Sequence, residues 1–457
     1  MIYVFLKNKI NKQRKKLNPA AFLVLGFIAI IFLGTILLRL PISTQDDVSV
    51  SFVTALFTAV SATCVTGLTV VDTATTWSVF GRVVILGMIQ IGGLGFMSIT
   101  TIFFFIMNTK IGLSQRLLIM QSLSLKDIQG VVQLIRHVLI GTLFFQGLGA
   151  LVLWIRFYPE YGLINGLGMG VFHSISAFCN AGFDLMGNTE TFSSLTSYLG
   201  DVVIKITIIL LVVIGSLGFF VWEDIWRNRR FRKLHLHSKM VLTVSVLLLV
   251  IGWIFFFFAE KSNPETIGNI PIFEATIASL FQSAMPRSAG LSMVNQVSLT
   301  NSSIMVTMLL MFIGGSAGST GGGIKNVTAA IIFLSAIRSL MGKKTLSVFG
   351  RNIPDQQVVS ALSILVFALS ACFFGSVTIS ILQPELPVLG VIFEVVSAVT
   401  TCGLSLGVTP SLLPSSRVII VLLIFLGRIG IMTIGMAAFL RRNKFEKTKH
   451  PDTWVMM

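Results

Sequence analysis

The sequence predicts an all-α integral membrane protein made of four tandem repeats, each a span, a pore loop and a second span. Two observations carry this prediction. Of the 457 residues, 54% are hydrophobic and only 11% are charged, with a mean hydropathy of +0.89, which is far more apolar than a soluble domain. A pair of short motifs also recurs four times in the same order. The repeats imply about eight transmembrane helices and four half helices around a pseudo-fourfold pore.

The first motif runs from a phenylalanine to a glycine and closes an apolar segment that is too short to span a membrane. The third copy is one residue shorter than the others and carries Pro286 and Arg287 before its glycine. The copies read FTAVSATCVTGL from Phe57, FHSISAFCNAGF from Phe172, FQSAMPRSAGL from Phe281 and FEVVSAVTTCGL from Phe393. Each copy is interpreted as a half helix followed by a turned strand that ends in glycine.

The second motif lies in the apolar run that follows each pore loop. It reads IGGLGF from Ile91, IGSLGF from Ile214, IGGSAGST from Ile313 and LGRIGIMT from Leu426. Two motifs that recur in one order define the repeats, which we place at residues 18–125, 126–235, 236–350 and 351–445. A basic N-terminus at 1–17 and a tail at 446–457 flank them.

The net charge of +16 comes from short basic clusters beside the apolar runs and not from one continuous basic face. This distribution favours a topological role and argues against nucleic acid as a partner. Links richer in acidic residues alternate with the clusters. By the positive-inside rule, both termini are expected in the cytoplasm and the chain is expected to cross the lipid bilayer an even number of times.

Turned strands at membrane depth are tolerated where they line a cavity, and their carbonyl oxygens can replace the hydration shell of a cation. Half helices that point their C-terminal ends at the cavity add partial negative charge, which favours a monovalent cation. The nearby acids are Asp184 and Glu394; Asp184 either concentrates cations at the mouth or is a solvated loop acid. The candidate ion-binding residues are Thr66, Gly67, Ala181, Gly182, Ala289, Gly290, Cys402 and Gly403. Arg287 is expected to be a structural clamp that points away from the pore, and the cysteines near the glycines are expected to pack behind it.

A glycine-rich stretch at 313–325 interrupts the second span of the third repeat. It does not match a phosphate-binding loop, because Ile324 precedes Lys325 and Asn326 follows it. The stretch is either a flexible kink or a broken helix. In the second case its loop would cross beneath the selectivity filter, which is the set of four turned strands that end in glycine, and would act as its gate. Arg428, within the last apolar run, is either part of a buried structural pair or a cavity-facing residue that touches this loop. The candidate gating residues are Gly314, Gly315, Ser316, Ala317, Gly318, Ser319, Thr320, Gly321, Gly322, Gly323, Lys325 and Arg428.

These features resemble the Trk/Ktr/HKT superfamily of potassium transporters, and most of all its bacterial Ktr-type membrane subunits. The resemblance covers nearly the whole chain and rests on the four loops, the second motifs and GSAGSTGGGIK from Gly315 to Lys325. The lack of two extra N-terminal spans, which Trk-type members usually carry, also favours the Ktr branch. The resemblance implies potassium at the four filter glycines: Gly67, Gly182, Gly290 and Gly403. Plant relatives with serine in place of the first glycine transport sodium, so Gly67 implies potassium here.

The resemblance also implies a homodimer with one pore in each protomer, located in the plasma membrane, and a separate cytosolic ring of nucleotide-binding regulatory subunits. The chain has no Rossmann fingerprint, so no cofactor is expected on the chain itself, and activation by sodium is left open. A sodium-selective or unselective cation transporter of the same fold is the alternative function. An intramembrane enzyme is disfavoured because no catalytic motif lies in the spans, and a purely structural scaffold would leave the four glycines unexplained.

Overall fold

The computed structural model describes residues 19–45, 49–95, 131–187, 191–343 and 345–430. These residues are mostly helical, because the apolar runs have no water with which their backbone groups could bond. The helices are α1 (Pro19–Leu38), α2 (Phe52–Thr63), α3 (Thr73–Thr76), α4 (Val79–Leu94), α5 (Val131–Cys179), α6 (Val202–Ser216), α7 (Phe219–Asn228), α8 (Leu236–Glu260), α9 (Ile272–Ala284), α10 (Asn301–Phe312), α11 (Asn326–Leu340), α12 (Asp355–Leu382), α13 (Val388–Thr400) and α14 (Pro414–Ile429).

Three helices in the described ranges are long and apolar enough to cross a membrane, namely α5, α8 and α12. The pair α6 and α7 passes the same test as one span, but it bends by 92° at its break. Helix α5 contains both a span and a half helix, which are separated at Gly162, where φ is 75°. The count of about eight spans stays a prediction, since residues 96–130 and 431–457 lie outside the described ranges.

Glycines with positive φ lie where the helices that carry the first, second and fourth copies of the second motif end or bend. Helix α4 ends at Leu94, directly before Gly95 with a φ of 80°. The break between α6 and α7 lies at Gly218 with a φ of 93°, and α14 is followed by Gly430 with a φ of 82°. A right-handed helix cannot continue through this conformation. The helices that carry the second motif therefore end or bend at these three positions.

The half helices form the centre of the protein. The repeated phenylalanines that begin the first motif are all buried: Phe57, Phe172, Phe281 and Phe393 are at most 3% exposed. Large apolar side chains on the outer helices are exposed instead, for example Ile164 on α5 and Phe258 on α8. This arrangement, with an apolar outer surface around buried half helices that carry polar loops, is typical of a protein surrounded by lipid.

Within the described ranges, a short hairpin between α11 and α12 departs from the all-helical prediction. Strands β1 (Leu346–Val348) and β2 (Arg351–Ile353) pair antiparallel, with Leu346 opposite Ile353. The connecting residues Phe349 and Gly350 both have positive φ, at 48° and 73°, as a two-residue hairpin turn requires.

Several boundaries predicted from the sequence fall outside the described residues. They are the basic N-terminus at 1–17, the boundary between the first two repeats at 125 and 126, the end of the fourth repeat at 445 and the tail at 446–457.

Candidate ion pathway

The four loops that follow the half helices repeat one backbone conformation. In each loop the residue two positions before the repeated glycine has a positive φ, which is uncommon outside glycine, and the glycine itself is also positive. The φ values are 56° at Val65 and 93° at Gly67, 58° at Asn180 and 72° at Gly182, 75° at Ser288 and 69° at Gly290, and 48° at Thr401 and 98° at Gly403. The chain therefore makes a similar tight turn four times.

Three of the turns are held by the same backbone hydrogen bond. The N–H of the residue before the glycine donates to the carbonyl five residues back, in the pairs Thr66 to Ser61 at 2.8 Å, Ala181 to Ser176 at 2.8 Å and Cys402 to Ser397 at 2.9 Å. In the first and fourth loops, the serine hydroxyl adds a second bond to the turn. Ser61 Oγ accepts from the Gly67 N–H at 3.2 Å, and Ser397 Oγ accepts from the Gly403 N–H at 3.0 Å. The serine of the shared Ser-Ala pair thus fastens each turn to its own half helix.

The third loop is held differently, because it is one residue shorter and has Met285 in the serine position. The N–H groups of Ala289 and Gly290 both donate to the Met285 carbonyl, at 3.0 and 3.3 Å. The neighbouring Arg287 is 3% exposed, and its guanidinium donates to the carbonyl and the hydroxyl of Ser245 on α8, each at 3.2 Å. Arg287 therefore ties the loop to the adjacent helix.

The eight candidate ion-binding residues meet in a closed ring. A Cβ added to any of the four glycines would lie against the carbonyl oxygen of the residue that precedes the next glycine in the ring. The distances are 2.6 Å from Gly67 to Ala181, 3.1 Å from Gly182 to Ala289, 2.6 Å from Gly290 to Cys402 and 2.0 Å from Gly403 to Thr66. A Cβ at Gly67, Gly290 or Gly403 would overlap backbone and one at Gly182 would be crowded, so a side chain at any of the four positions forces the ring to shift.

A ring of backbone carbonyls at the C-terminal ends of half helices has the chemistry of a cation site. Carbonyl oxygens carry partial negative charge, and helix C-termini add to it. The eight ring residues have no acidic side chain among them. The arrangement can therefore coordinate a dehydrated monovalent cation through backbone oxygens.

A cavity of about 490 Å³ opens on one side of the ring, lined by the four glycines and by residues that follow them in the sequence. Asp184, two residues after Gly182, lines this cavity. Burial, and to a smaller extent the charge of Asp72, raise the pKa of the Asp184 carboxyl to about 6. The side chain is half-buried, and its carboxylate accepts from the Met186 N–H at 3.0 Å, so it is not a freely solvated loop acid.

The loop 313–325 lies on the other side of the ring, because it contacts residues that precede the glycines. The Ser288 hydroxyl accepts from the Gly322 N–H at 2.7 Å and donates to the Thr401 carbonyl at 3.0 Å. The Thr320 hydroxyl donates to the Phe178 carbonyl at 3.2 Å. The loop thus touches the ends of the second half helix and the turns after the third and fourth.

The same loop fills the break between α6 and α7. The Ser316 N–H donates to the Ser216 carbonyl at 3.0 Å, and the Phe219 N–H donates to the Gly318 carbonyl at 2.9 Å. A helix that ends inside a protein leaves backbone groups without intrahelical partners. Here the loop supplies these partners, so the break in one span and the break in the other stabilise each other.

Two cationic side chains contact the loop. Arg428, at the end of α14, donates to the Thr320 carbonyl at 2.6 Å and also to the Gly92 carbonyl on α4. Lys325 donates to the Gly321 carbonyl at 2.8 Å. Arg428 therefore finds backbone oxygens as partners and bridges the loop to the first repeat. Apart from Arg428, all candidate gating residues lie in the loop itself.

Comparison with known proteins places this geometry in a family. Residues 4–447 match the family TrkH, described as "Cation transport protein". The chain belongs to the TrkH family. It is 41% identical over 437 residues to Ktr system potassium uptake protein B of Bacillus subtilis, which covers 96% of both chains. It is 37% identical over 450 residues to potassium/sodium uptake protein NtpJ of Enterococcus hirae, which covers 98% of both chains.

The solved structure of the potassium transporter TrkH from Vibrio parahaemolyticus has the same fold, with a TM-score of 0.70 over 90% of this chain and 84% of that one at 17% identity. The resemblance to the Trk/Ktr/HKT superfamily is thus confirmed. Family membership and the apolar helices together make this TrkH-family chain a multi-pass membrane protein.

Sequence reasoning identified the second motif of this TrkH-family chain but not its structural role. The glycine after the first residue of the motif lets the second span approach its own half helix. A Cβ at Gly92 would lie 1.9 Å from the Thr63 carbonyl oxygen. A Cβ at Gly215 would lie 2.0 Å from the Phe178 carbonyl oxygen, and a Cβ at Gly427 would lie 2.1 Å from the Val399 carbonyl oxygen. The recurrence of the motif was the available signal, but the partner carbonyls became identifiable only in three dimensions.

Proposed function

We propose that this protein takes up potassium ions across the cell membrane through the ring of backbone carbonyls. The observation that carries the proposal is the closed ring of Gly67, Gly182, Gly290 and Gly403, with one carbonyl beside each glycine. Relatives named as potassium uptake proteins over nearly the full length support the choice of ion. In this proposal the ring is the selectivity filter, with potassium held at the four glycines.

The proposal includes a pathway built from four repeats, at residues 18–125, 126–235, 236–350 and 351–445, arranged with pseudo-fourfold symmetry. Similar turns at the four glycines support this arrangement. The third repeat departs from the others, because its turn is shorter and is held by Met285 and Arg287. The filter is therefore only approximately symmetric.

Gating is assigned to the loop 313–325 together with Arg428. The support is positional: the loop bonds to Ser288 and Phe178 on the side of the ring away from the cavity, and Arg428 holds Thr320. A cationic side chain close to the path raises the barrier to a cation. Opening would require the loop to leave these contacts.

The remaining parts of the proposal concern the cellular setting. We include a homodimer in the plasma membrane with both termini in the cytoplasm, and a cytosolic ring of nucleotide-binding subunits that controls the gate. The name of the Bacillus subtilis relative, which refers to a Ktr system, supports a multi-component assembly. No cofactor is assigned to this chain. Activation of potassium uptake by sodium is tested by comparing uptake in the presence and in the absence of sodium.

A second candidate function is transport of sodium alongside potassium, or of monovalent cations without selectivity. The relative from Enterococcus hirae, named a potassium/sodium uptake protein, favours this alternative. Both functions use the same ring, so only competition between the two ions separates them.

The test is potassium uptake in a host that lacks its own potassium uptake, with sodium as competitor, for wild type and Gly67→Ser. A Cβ at Gly67 lies 2.6 Å from the Ala181 oxygen, whereas nothing lies within 4 Å of a Cβ at Gly147. Gly147→Ser is therefore the matched control. We expect Gly67→Ser to lose potassium preference and the control to keep it. Equal preference in both variants would contradict the filter, and no potassium uptake by wild type would contradict the function.

Gating is tested by deleting residues 315–322, which removes the contacts to Ser288 and Phe178 together. The deletion is expected to increase potassium flux at equal protein abundance in the membrane. Chromatography in detergent checks that the variant remains folded. Unchanged flux in a folded deletion variant would rule out the loop as the gate.

A further inference from the structure

One position in the half helices holds a buried polar side chain in all four copies of the first motif. The residue directly after the repeated phenylalanine is polar in all four copies and is buried each time. These residues are Thr58 at 2% exposure, His173 at 0%, Gln282 at 4% and Glu394 at 1%. Buried polar side chains require hydrogen-bond partners, so the identity of the partners indicates what each residue does.

Gln282 on α9 supports the strand that leaves the third filter glycine. Its amide forms a reciprocal pair with the amide of Gln296, at 3.0 and 3.1 Å. Gln296 also donates to the Ser292 hydroxyl at 2.8 Å and to the Val294 carbonyl at 3.0 Å. Ser292 lies two residues after Gly290 and lines the cavity. The side chain of Gln282 is thus linked through Gln296 to the outgoing strand.

His173 and Glu394 make corresponding links in the second and fourth repeats. His173 Nδ1 pairs with the Met169 carbonyl at 2.8 Å, so the proton lies on Nδ1 and Nε2 accepts from the Leu185 N–H at 3.3 Å. Leu185 is the third residue after Gly182.

Glu394 accepts hydrogen bonds from the hydroxyls of Ser405 and Thr409, the latter at 2.9 Å. Ser405 is the second residue after Gly403, and both Ser405 and Thr409 line the cavity. In three repeats, therefore, the same helix position supports the segment that follows the glycine.

The first repeat differs, because the Thr58 hydroxyl donates to the Thr54 carbonyl at 3.0 Å, within its own helix α2. This bond does not reach the strand after Gly67. Thr58 therefore provides a natural comparison, since it has the same position and a similar burial but no link to the filter strand.

We propose that Gln282, His173 and Glu394 are positioning residues that set ion selectivity by fixing the strands that leave the glycine ring. The proposal rests on the proposed function, since it assumes that the ring is the filter. Selectivity through carbonyls depends on the spacing and stiffness of the ligands, and a site is held in place by the hydrogen bonds of its supporting residues. Loss of such a support is expected to change the preference among ions more than the maximal rate.

The experiment measures potassium uptake with increasing sodium for Gln282→Met, which has a similar volume but no amide, and for the matched control Thr58→Val. The sodium concentration that halves uptake is expected to fall about tenfold in Gln282→Met, the change that follows from losing one well-placed support. Thr58→Val is expected to keep the wild-type value. A lower rate with unchanged sodium inhibition would assign Gln282 a merely structural role and overturn the proposal, as would an equal change in Thr58→Val.

Glu394 provides a second measurement should Gln282→Met fail to accumulate in the membrane. Glu394→Leu removes both acceptors, whereas Glu394→Gln keeps the shape and one acceptor. The preference for potassium over sodium is expected to fall in Glu394→Leu and to return toward the wild-type value in Glu394→Gln. If the glutamine variant behaves like the leucine variant, the charge of Glu394 and not its positioning role is responsible, and the proposal fails.

The failure of this inference and the failure of the proposed function give different results. If wild type takes up potassium and Gly67→Ser loses the preference, the filter stands. Wild-type selectivity in Gln282→Met and Glu394→Leu would then refute the positioning role alone.

Discussion

Replacing Gly403 by alanine tests whether the ring tolerates any side chain. A Cβ at Gly403 would lie 2.0 Å from the Thr66 carbonyl oxygen, and the residue has a φ of 98°. The backbone conformation costs a residue other than glycine about 1–3 kcal/mol. Overpacking against a fixed neighbour adds about 1–3 kcal/mol. Even the lower sum of about 2 kcal/mol shifts the equilibrium between the intact and the disrupted ring roughly 30-fold toward the disrupted form.

Gly407 provides the matched control for the free-energy cost of placing alanine at a positive φ. Its φ is 80°, and the nearest atom to an added Cβ is Val297 Cγ2 at 3.9 Å. Gly407→Ala therefore carries a similar conformational cost without the collision. The assay is the initial rate of potassium uptake in a deficient host, normalised to the abundance of each variant in the membrane.

We expect uptake to fall at least about 30-fold in Gly403→Ala and only about fivefold in Gly407→Ala, which carries the lower backbone cost of about 1 kcal/mol without the collision. If the two variants transport at similar rates, the contact between Gly403 and Thr66 does not constrain the pathway. The reasoning from the ring geometry would then be wrong, even if both variants were less stable than wild type.

Three further predictions concern the surroundings of the ring. Arg428→Gln removes a positive charge that contacts the loop 313–325, so maximal potassium uptake is expected to rise if this loop is the gate; wild-type affinity and velocity would indicate a structural role only. Gly92→Ala places a Cβ 1.9 Å from the Thr63 oxygen and is expected to destabilise the protein by about 1–3 kcal/mol. Gly87→Ala on the same helix meets nothing within 4 Å and is expected to stabilise slightly, so a similar melting temperature for both would contradict the packing argument. Ser288→Ala removes the hydroxyl that joins the loop to the fourth turn, and potassium flux that stays at the wild-type level at equal abundance would exclude this bond as a brake on opening.

The positions of the half helices could be predicted because local features specify them. The repeated phenylalanine, here exemplified by Phe57 and Phe393, begins an apolar segment that is too short to span, and the glycine ten residues later in three copies requires a turn. Both features depend on residues close in sequence. The burial of all four phenylalanines agrees with the interpretation of these segments as central half helices.

The order of contacts around the ring could not be predicted from local features. Gly403 lies beside the carbonyl of Thr66, from the opposite end of the chain, and no short pattern encodes a contact between residues so distant in sequence. The same limit applies to Arg428, whose partners Thr320 and Gly92 belong to two other repeats. An arginine in an apolar run predicts only that partners exist.

The bend between α6 and α7 could not be predicted for a different reason. Glycine is common inside transmembrane helices, so Gly218 in an apolar run is compatible with a straight span. Its φ of 93° follows from packing against the loop 313–325, because the Phe219 N–H bonds to the Gly318 carbonyl. The hairpin turn at Phe349 and Gly350 was missed because its strands have only three residues each, too short for an alternating pattern.

The ring of four glycines comes from one polypeptide and not from four copies of a subunit. A single codon change therefore alters one quadrant and leaves the other three intact, whereas in a symmetric tetramer the same change would appear four times. The third loop, which is one residue shorter and contains Arg287, already differs from the other three. A single substitution can therefore reshape one side of the ring and leave the other three sides as they are.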